Sequence, residues 1–390
     1  MISKKERVVR LLFDLIHGEI FGSEISVGGF SEVDEETLIL LYKLAKSHDV
    51  VHIVANGLKK HGNLGDNEMS AKYEKQRMLA LYRYEQSRYE LASLCEVLNE
   101  AKIPFMPLKG SVLREYYPEP WMRTSCDIDV LIHEEDCERA ERILLERLQY
   151  RKEATTTHDL SIFSPSGVHI ELHYALNEES YRSFDVLNRI WEHSAPAEDG
   201  SYRYVMSDEA FYCYHLAHMA KHFELGGCGI RSFLDLWILD HRMEHDKEAR
   251  DALLKQEKLL AFADGCRHLS EVWFSEAKGD DLSDRMQAYI LNGGVYGTLS
   301  NKVVIQQGKS GGRIRYVMRR FFLPYDTLKG YYPILKKRKW LTPVMQVRRW
   351  FRILFGGGTK KSLHELNTSR EVSVDERNGA EILLTRLGLK

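Results

Sequence analysis

The stretch Cys126–Ile132, CDIDVLI, restricts the possible folds more than any other part of the chain. On an extended strand successive side chains point to opposite faces, so Cys126, Ile128, Val130 and Ile132 share one face while Asp127, Asp129 and Leu131 share the other. The apolar neighbours mark the strand as buried. Two carboxylates on one buried face repel each other and lose hydration, an arrangement that needs a metal ion, a basic side chain or open solvent beside it. With Cβ atoms roughly 6–7 Å apart, the pair suits shared divalent cations.

Two further segments supply what such a pair would use. In VHIELHY (168–174), Glu171 lies between Ile170 and Leu172, and its face also carries His169 and His173. This strand follows Leu160–Phe163 through the turn Ser164-Pro165-Ser166-Gly167, whose Pro and Gly fit a hairpin. If it lies beside Cys126–Ile132, Asp127, Asp129 and Glu171 converge where two Mg²⁺ (or Mn²⁺) ions can sit. Upstream, the short strand IPFMPL ends at Lys109-Gly110-Ser111, where a helix begins. Glycine permits close backbone approach, and serine with the N–H groups of a helix N-terminus suits phosphate. Lys109 is read either as part of this nucleotide side or as a helix-edge lysine. Arg123, four residues before Asp127, is a second candidate phosphate clamp.

The rest of the 390-residue chain reads as helical. Apolar residues at three- and four-residue spacing predict helices over 1–102, including one long helix over Asn67–Asn99. Residues 103–184 form the predicted core, 185–312 return to the helical period, and 313–390 form a basic segment with a polar tail. The expected fold class is α+β, a small mixed β-sheet core flanked by N-terminal and C-terminal helical regions. Between Arg313 and Arg352 twelve Lys and Arg face the single acid Asp326. Thr359–Gly379 is polar enough to read as a linker or mobile loop. A net charge of −2 gives no overall bias toward nucleic acid, and the six cysteines form no CxxC. With no cationic leader before residue 20 and no apolar run of membrane-spanning length, the expectation is a cytoplasmic protein with reduced thiols.

On the later helices, His215, His218 and His222 share a face and read first as packing and hydrogen-bonding groups, with zinc as the lesser alternative. Arg231 and Asp235 are spaced for an intrahelical ion pair or for lining a cleft. His173 is placed to touch an acceptor or to orient Glu171.

Taken in order, Leu108-Lys109-Gly110-Ser111, Arg123, Asp127-Ile128-Asp129-Val130 and Ile170-Glu171-Leu172-His173 resemble the pattern of the DNA polymerase β-like nucleotidyltransferase superfamily. With HLAHMAKH and GIRSFLDL added, the order is similar to its bacterial branch of uncharacterised nucleotidyltransferases, over about residues 95–240. Fifteen residues separate Ser111 from Asp127, slightly more than the superfamily usually shows, and the third acid is Glu171 rather than the commoner Asp. The resemblance implies Mg²⁺-dependent transfer of a nucleoside monophosphate from an NTP, most simply ATP, with release of pyrophosphate. Asp127 and Asp129 would hold the metals that bridge the triphosphate, and Glu171 would complete the second site. The acceptor, a hydroxyl on a small molecule, protein or RNA, would be chosen by the helices carrying His215, His218, Arg231 and Asp235. Two alternatives stand beside this reading: a metal-dependent glycosyltransferase using the Asp-x-Asp pair, and a non-catalytic nucleotide- or RNA-binding regulatory module.

Overall fold

Four helices precede the first strand: α1 (Lys4–Phe21), α2 (Glu35–Ser47), α3 (Val51–Lys60) and α4 (Glu68–Glu100). The structure, a computed structural model, describes residues 3–22, 33–177, 181–275, 277–295, 297–355 and 359–390, so residues 23–32 of the expected N-terminal helical region and 178–180 of the expected core lie outside it. Helix α4 starts where its sequence provides a cap, the Asn67 side chain accepting from the Ser70 amide at 2.8 Å.

The central sheet contains β1 (Phe105–Pro107), β2 (Asp127–Ile132), β3 (Arg151–Thr155), β4 (Asp159–Phe163) and β5 (His169–His173), with the single-turn α5 (Gly110–Leu113) after β1 and α6 (Cys137–Arg147) after β2. Strand order is β1-β2-β5-β4-β3. Strands β2 and β5 run parallel, and all other pairs are antiparallel. The sheet is therefore mixed and the fold is α+β. The 164–167 turn joins β4 to β5 as a hairpin. Strand β3 carries no apolar periodicity because RKEAT is an exposed edge, which hides it from a pattern-based reading. One face of the sheet, with Ile128, Val130, Ile132, Ile170 and Leu172, packs on Leu94, Val97 and Leu98 of α4 and on Ala140 and Leu144 of α6. Each fully buried aliphatic there contributes about 1.5–3 kcal/mol.

Beyond the sheet come the short α7 (Asp185–Asn188) and the small two-stranded sheet β6 (Ser194–Pro196) and β7 (Tyr204–Met206). The helical period predicted after residue 184 does not cover this small sheet. An isolated bridge from Phe105 to Arg203 ties its end to β1. Helices α8 (Asp208–Glu224), α9 (Ile230–Arg242), α10 (Lys247–Gln256), α11 (Leu260–Phe274), α12 (Asp281–Gly293) and α13 (Leu299–Ser310) follow. Their apolar sides join those of α1–α3 in one continuous core.

The last part comprises α14 (Arg313–Phe321), α15 (Tyr325–Tyr331), α16 (Ile334–Lys337), α17 (Thr342–Phe355), α18 (Thr359–Glu371) and α19 (Val374–Arg386). The linker expected at 359–379 is thus corrected to helix. Ser373 and Glu376 form a capping box at the start of α19, and Ala380, Leu383 and Leu384 are buried. A few well-placed apolar residues hold a helix whose average composition is polar. Among the described residues no helix is long and apolar enough to cross a membrane.

Candidate active site

Parallel pairing of β2 with β5 sets Asp127 opposite His169, Asp129 opposite Glu171 and Leu131 opposite His173. In register, same-face residues stay together, so Asp127, Asp129 and Glu171 project from the face opposite the apolar packing. They border a cavity of about 350 Å³ whose far wall comes from α8 and α9. Asp129 lies deepest, at 3% exposure.

Its carboxylate is compensated by the chain itself. Lys109 Nζ donates to Asp129 Oδ1 at 2.7 Å, and His173 Nε2 lies 2.7 Å from the same oxygen. The same His173 nitrogen is 3.3 Å from Glu171 Oε2. Burial alone would push the Asp129 carboxyl up, but the Lys109 ammonium and the His173 ring outweigh it and hold it well below the ordinary carboxylate range. The His173 hydrogen bond lowers Glu171 as well. Asp127 moves the other way, raised first by burial and then by the charge of Asp129. Burial lowers His173, yet its bonds to Asp129 and Glu171 bring it above its ordinary value. Lys109 is thus an ion-pair partner of the cluster rather than a helix-edge lysine. Its backbone adopts φ +43°, a conformation unusual outside glycine and costing about 1–3 kcal/mol, while the Asp129 carbonyl accepts from the next amide upstream, Leu108 N–H, at 2.9 Å.

Of the remaining expected nucleotide-side residues, Gly110 and Arg123 line the cavity, whereas Ser111 does not. The Ser111 amide is used within the turn, donating to Leu108 O at 3.1 Å. The serine on the cavity wall is Ser125, which no motif marks. A Cβ on Gly110 would sit 3.1 Å from Ser125 Cβ, so the close approach expected of this glycine is directed at Ser125. Arg123 Nε donates to Asp235 Oδ1 at 2.7 Å, as does the Tyr117 hydroxyl at 2.7 Å.

The intrahelical Arg231–Asp235 ion pair does not form. Asp235 pairs with Arg123, and Arg231 pairs with Asp49, which also accepts from Thr124 Oγ1 at 2.9 Å. Both residues border the cavity, but their charges are committed to partners far away in sequence, tying α9 to the 123–125 loop and to the α2–α3 junction. His215 Nε2 lies 3.2 Å from the Ser232 carbonyl, and the His218 and His222 rings approach to 4.4 Å. Burial, with the neighbouring His222 and Lys109, drives His218 well below its ordinary value. His158, Asp159 and Tyr214 also line the cavity without any signal in the sequence, and Lys221 of the HLAHMAKH segment lines it too.

Two groups among the described residues bring three metal-ligating atoms within 4.8 Å of one another: Asp127–His169–Glu171 and Asp129–Glu171–His173. They share Glu171. The α8 histidines belong to neither group. Three carboxylates facing the cavity give hard oxygen donors with room for further ligands, which fits Mg²⁺, and the imidazoles make Mn²⁺ equally acceptable.

Comparison with curated proteins and with solved structures finds no match. A family model described as "Uncharacterised nucleotidyltransferase" matches residues 34–275, a span that contains the whole sheet, the carboxylate cluster and both cavity-lining helices. With more than half of its length matched, this chain belongs to the uncharacterised nucleotidyltransferase family.

Proposed function

We propose that the protein transfers a nucleoside monophosphate from an NTP, most simply ATP, to a hydroxyl acceptor, using Mg²⁺ or Mn²⁺. The observation that carries this reading is the Asp129–Glu171 register, which gathers three carboxylates beside Lys109 on one wall of a single cavity. Asp127, Asp129 and Glu171 would hold the cations, which when bound neutralise triphosphate oxygens and lower the pKa of the acceptor hydroxyl.

The chain's own groups do the rest. The acceptor oxygen bonds to the α-phosphorus, the bond to the β-phosphate oxygen breaks, and pyrophosphate leaves. Glu171, kept ionised by His173, accepts the hydroxyl proton. Lys109 exchanges Asp129 for a phosphate oxygen as the triphosphate enters. Arg123, fixed by Asp235, offers its remaining N–H groups to phosphate with little loss of freedom. Gly110 leaves space for close backbone approach, and Ser111 supports that turn from outside the cavity. In this division residues 103–184 serve the nucleotide, while His215, His218, Arg231 and Asp235 in 185–312 shape the acceptor side.

The test is incubation with α-labelled NTPs, Mg²⁺ and a panel of hydroxylated acceptors, scoring pyrophosphate release and label transfer. The expected result is release that is lost in Asp129→Asn. Tight NTP binding that ignores divalent cations, with no release under any condition, would instead support a regulatory nucleotide-binding module.

A further inference from the structure

Helix α17 is built inside out. Its buried side carries Met345 and Gln346, and Gln346 donates to the Leu323 carbonyl at 2.6 Å. Arg349 on the same side donates to the carbonyls of Arg320 and Phe321 at 2.9 and 3.2 Å. Its outward side carries Val344, Val347, Phe351, Leu354 and Phe355, all exposed, with Phe355 at 81%. The spacing of three, four, three and one residues places these on one stripe. Arg348 and Arg352 flank the stripe, both over the Tyr332 ring at 5.9 and 5.7 Å.

Helix α14 repeats the pattern. Ile314 (81% exposed), Met318 and Phe321 form an exposed i, i+4, i+7 stripe, while Tyr316 points inward to Glu365. The two stripes meet at Trp350, whose ring contacts Phe321 and Phe322 and whose Nε1 donates to Phe321 O at 2.9 Å. Trp340, at 72% exposure, adds an interfacial type of side chain. Water solvates such a surface poorly, and monomeric proteins rarely leave an apolar patch of this extent open.

The charge around the patch selects the occupant. Residues 313–352 hold twelve Lys and Arg against one acid, whereas the whole chain is at −2, so the rest of the molecule is acidic. A second copy of the same face would bring cations against cations. RNA would match the arginines and aromatic rings but gains nothing from Ile314, Val344, Val347 or Leu354. An outward apolar stripe edged by arginines, with a tryptophan beside it, matches the acyl–headgroup boundary of an anionic bilayer.

We infer that α14 and α17 form a peripheral docking surface for anionic lipid membranes, with the apolar stripes inserted at the headgroup boundary and the arginines on lipid phosphates. This segment lies outside the family match at 34–275, so the inference is independent of the nucleotidyltransferase reading.

The full-length protein is sedimented with vesicles of phosphatidylcholine alone and with vesicles containing about 30% phosphatidylglycerol, at low and high salt. Binding is expected to the anionic vesicles only, weakened by salt. Phe351→Ser with Leu354→Ser and Phe355→Ser should weaken it by about tenfold or more, since the removed apolar area drives insertion. These side chains are exposed, and an unchanged melting temperature checks that the variant is folded. Absence of vesicle binding overturns the proposal. So does binding that the triple variant leaves intact, a salt-sensitive preference for single-stranded RNA with vesicles ignored, or a dimer that the variant dissociates.

Discussion

On one face of the five-stranded sheet Ile128, Val130, Ile170 and Leu172 pack against α4 and α6; on the other, Asp127, Asp129, Glu171 and His173 face a cavity. The same two strands supply both faces, one residue out of phase. Burial of aliphatic surface drives folding on the first face, whereas the second concentrates charge that Lys109 and His173 only partly balance. On the proposed function, stability and chemistry fall to alternate residues, and substitutions on the two faces should fail in opposite ways.

The largest contrast is between Asp129→Asn and Ile170→Ala. The first should lower turnover by roughly 10³-fold while the protein stays folded. The second should cost about 2–5 kcal/mol of stability, read from urea unfolding, with turnover per folded molecule nearly retained. Outright unfolding of the first, or loss of turnover in folded Ile170→Ala, would erase the division of roles.

Asp235→Ala removes one partner of a buried pair on the cavity's far wall. Arg123 and Tyr117 would both lose their acceptor, at a cost of about 3–5 kcal/mol. Replacing Arg123 by Met as well should recover much of that loss, which a double-mutant cycle measures. Full additivity would mean that the two residues act separately.

A buried group away from the carboxylates provides a pH reference. His48 Nδ1 accepts from the Ile230 amide, and burial lowers its pKa to about 4. The unfolded chain therefore takes up this proton at a higher pH than the folded one, and stability falls as pH drops from 6.5 toward 4. The size is on the order of 3 kcal/mol. In His48→Gln this part of the acid loss should disappear when urea midpoints are compared at pH 7.5 and 4.5.

The smallest effect is expected at Glu171. Removing its charge with Glu171→Gln relieves repulsion with Asp127 and Asp129 but gives up the bond from His173. Metal-free stability should stay unchanged or fall slightly, by no more than about 1 kcal/mol, because the bond from His173 outweighs the repulsion. A clear loss of melting temperature would show that Glu171 holds the sheet together.

The legible parts of the molecule are those whose periodicity is local. CDIDVLI, the 160–172 hairpin and the long helix at Asn67–Asn99 each declare themselves through alternation, a Pro-Ser-Gly turn or apolar three- and four-residue spacing. The carboxylate face followed once the two strands were set side by side. What local pattern cannot carry is partner choice. Arg231 and Asp235 sit at ideal helical spacing yet pair with Asp49 and Arg123, because tertiary neighbours offer better-placed charges. Ser125 reaches the cavity through the fold of a loop rather than a motif, and β3 has no buried side to betray it. The 374–386 helix was hidden by averaging, since three apolar residues anchor a polar stretch.

In the proposed function Asp127, Asp129 and Glu171 form a divalent-cation site serving a nucleoside triphosphate. Calorimetric titration of ATP into wild type and Asp129→Asn, each with Mn²⁺ and with chelator, tests it most directly. Mn²⁺ should tighten ATP binding to wild type by about tenfold or more and leave Asp129→Asn unaffected. Equal ATP affinity with and without Mn²⁺ in the wild-type protein would contradict it.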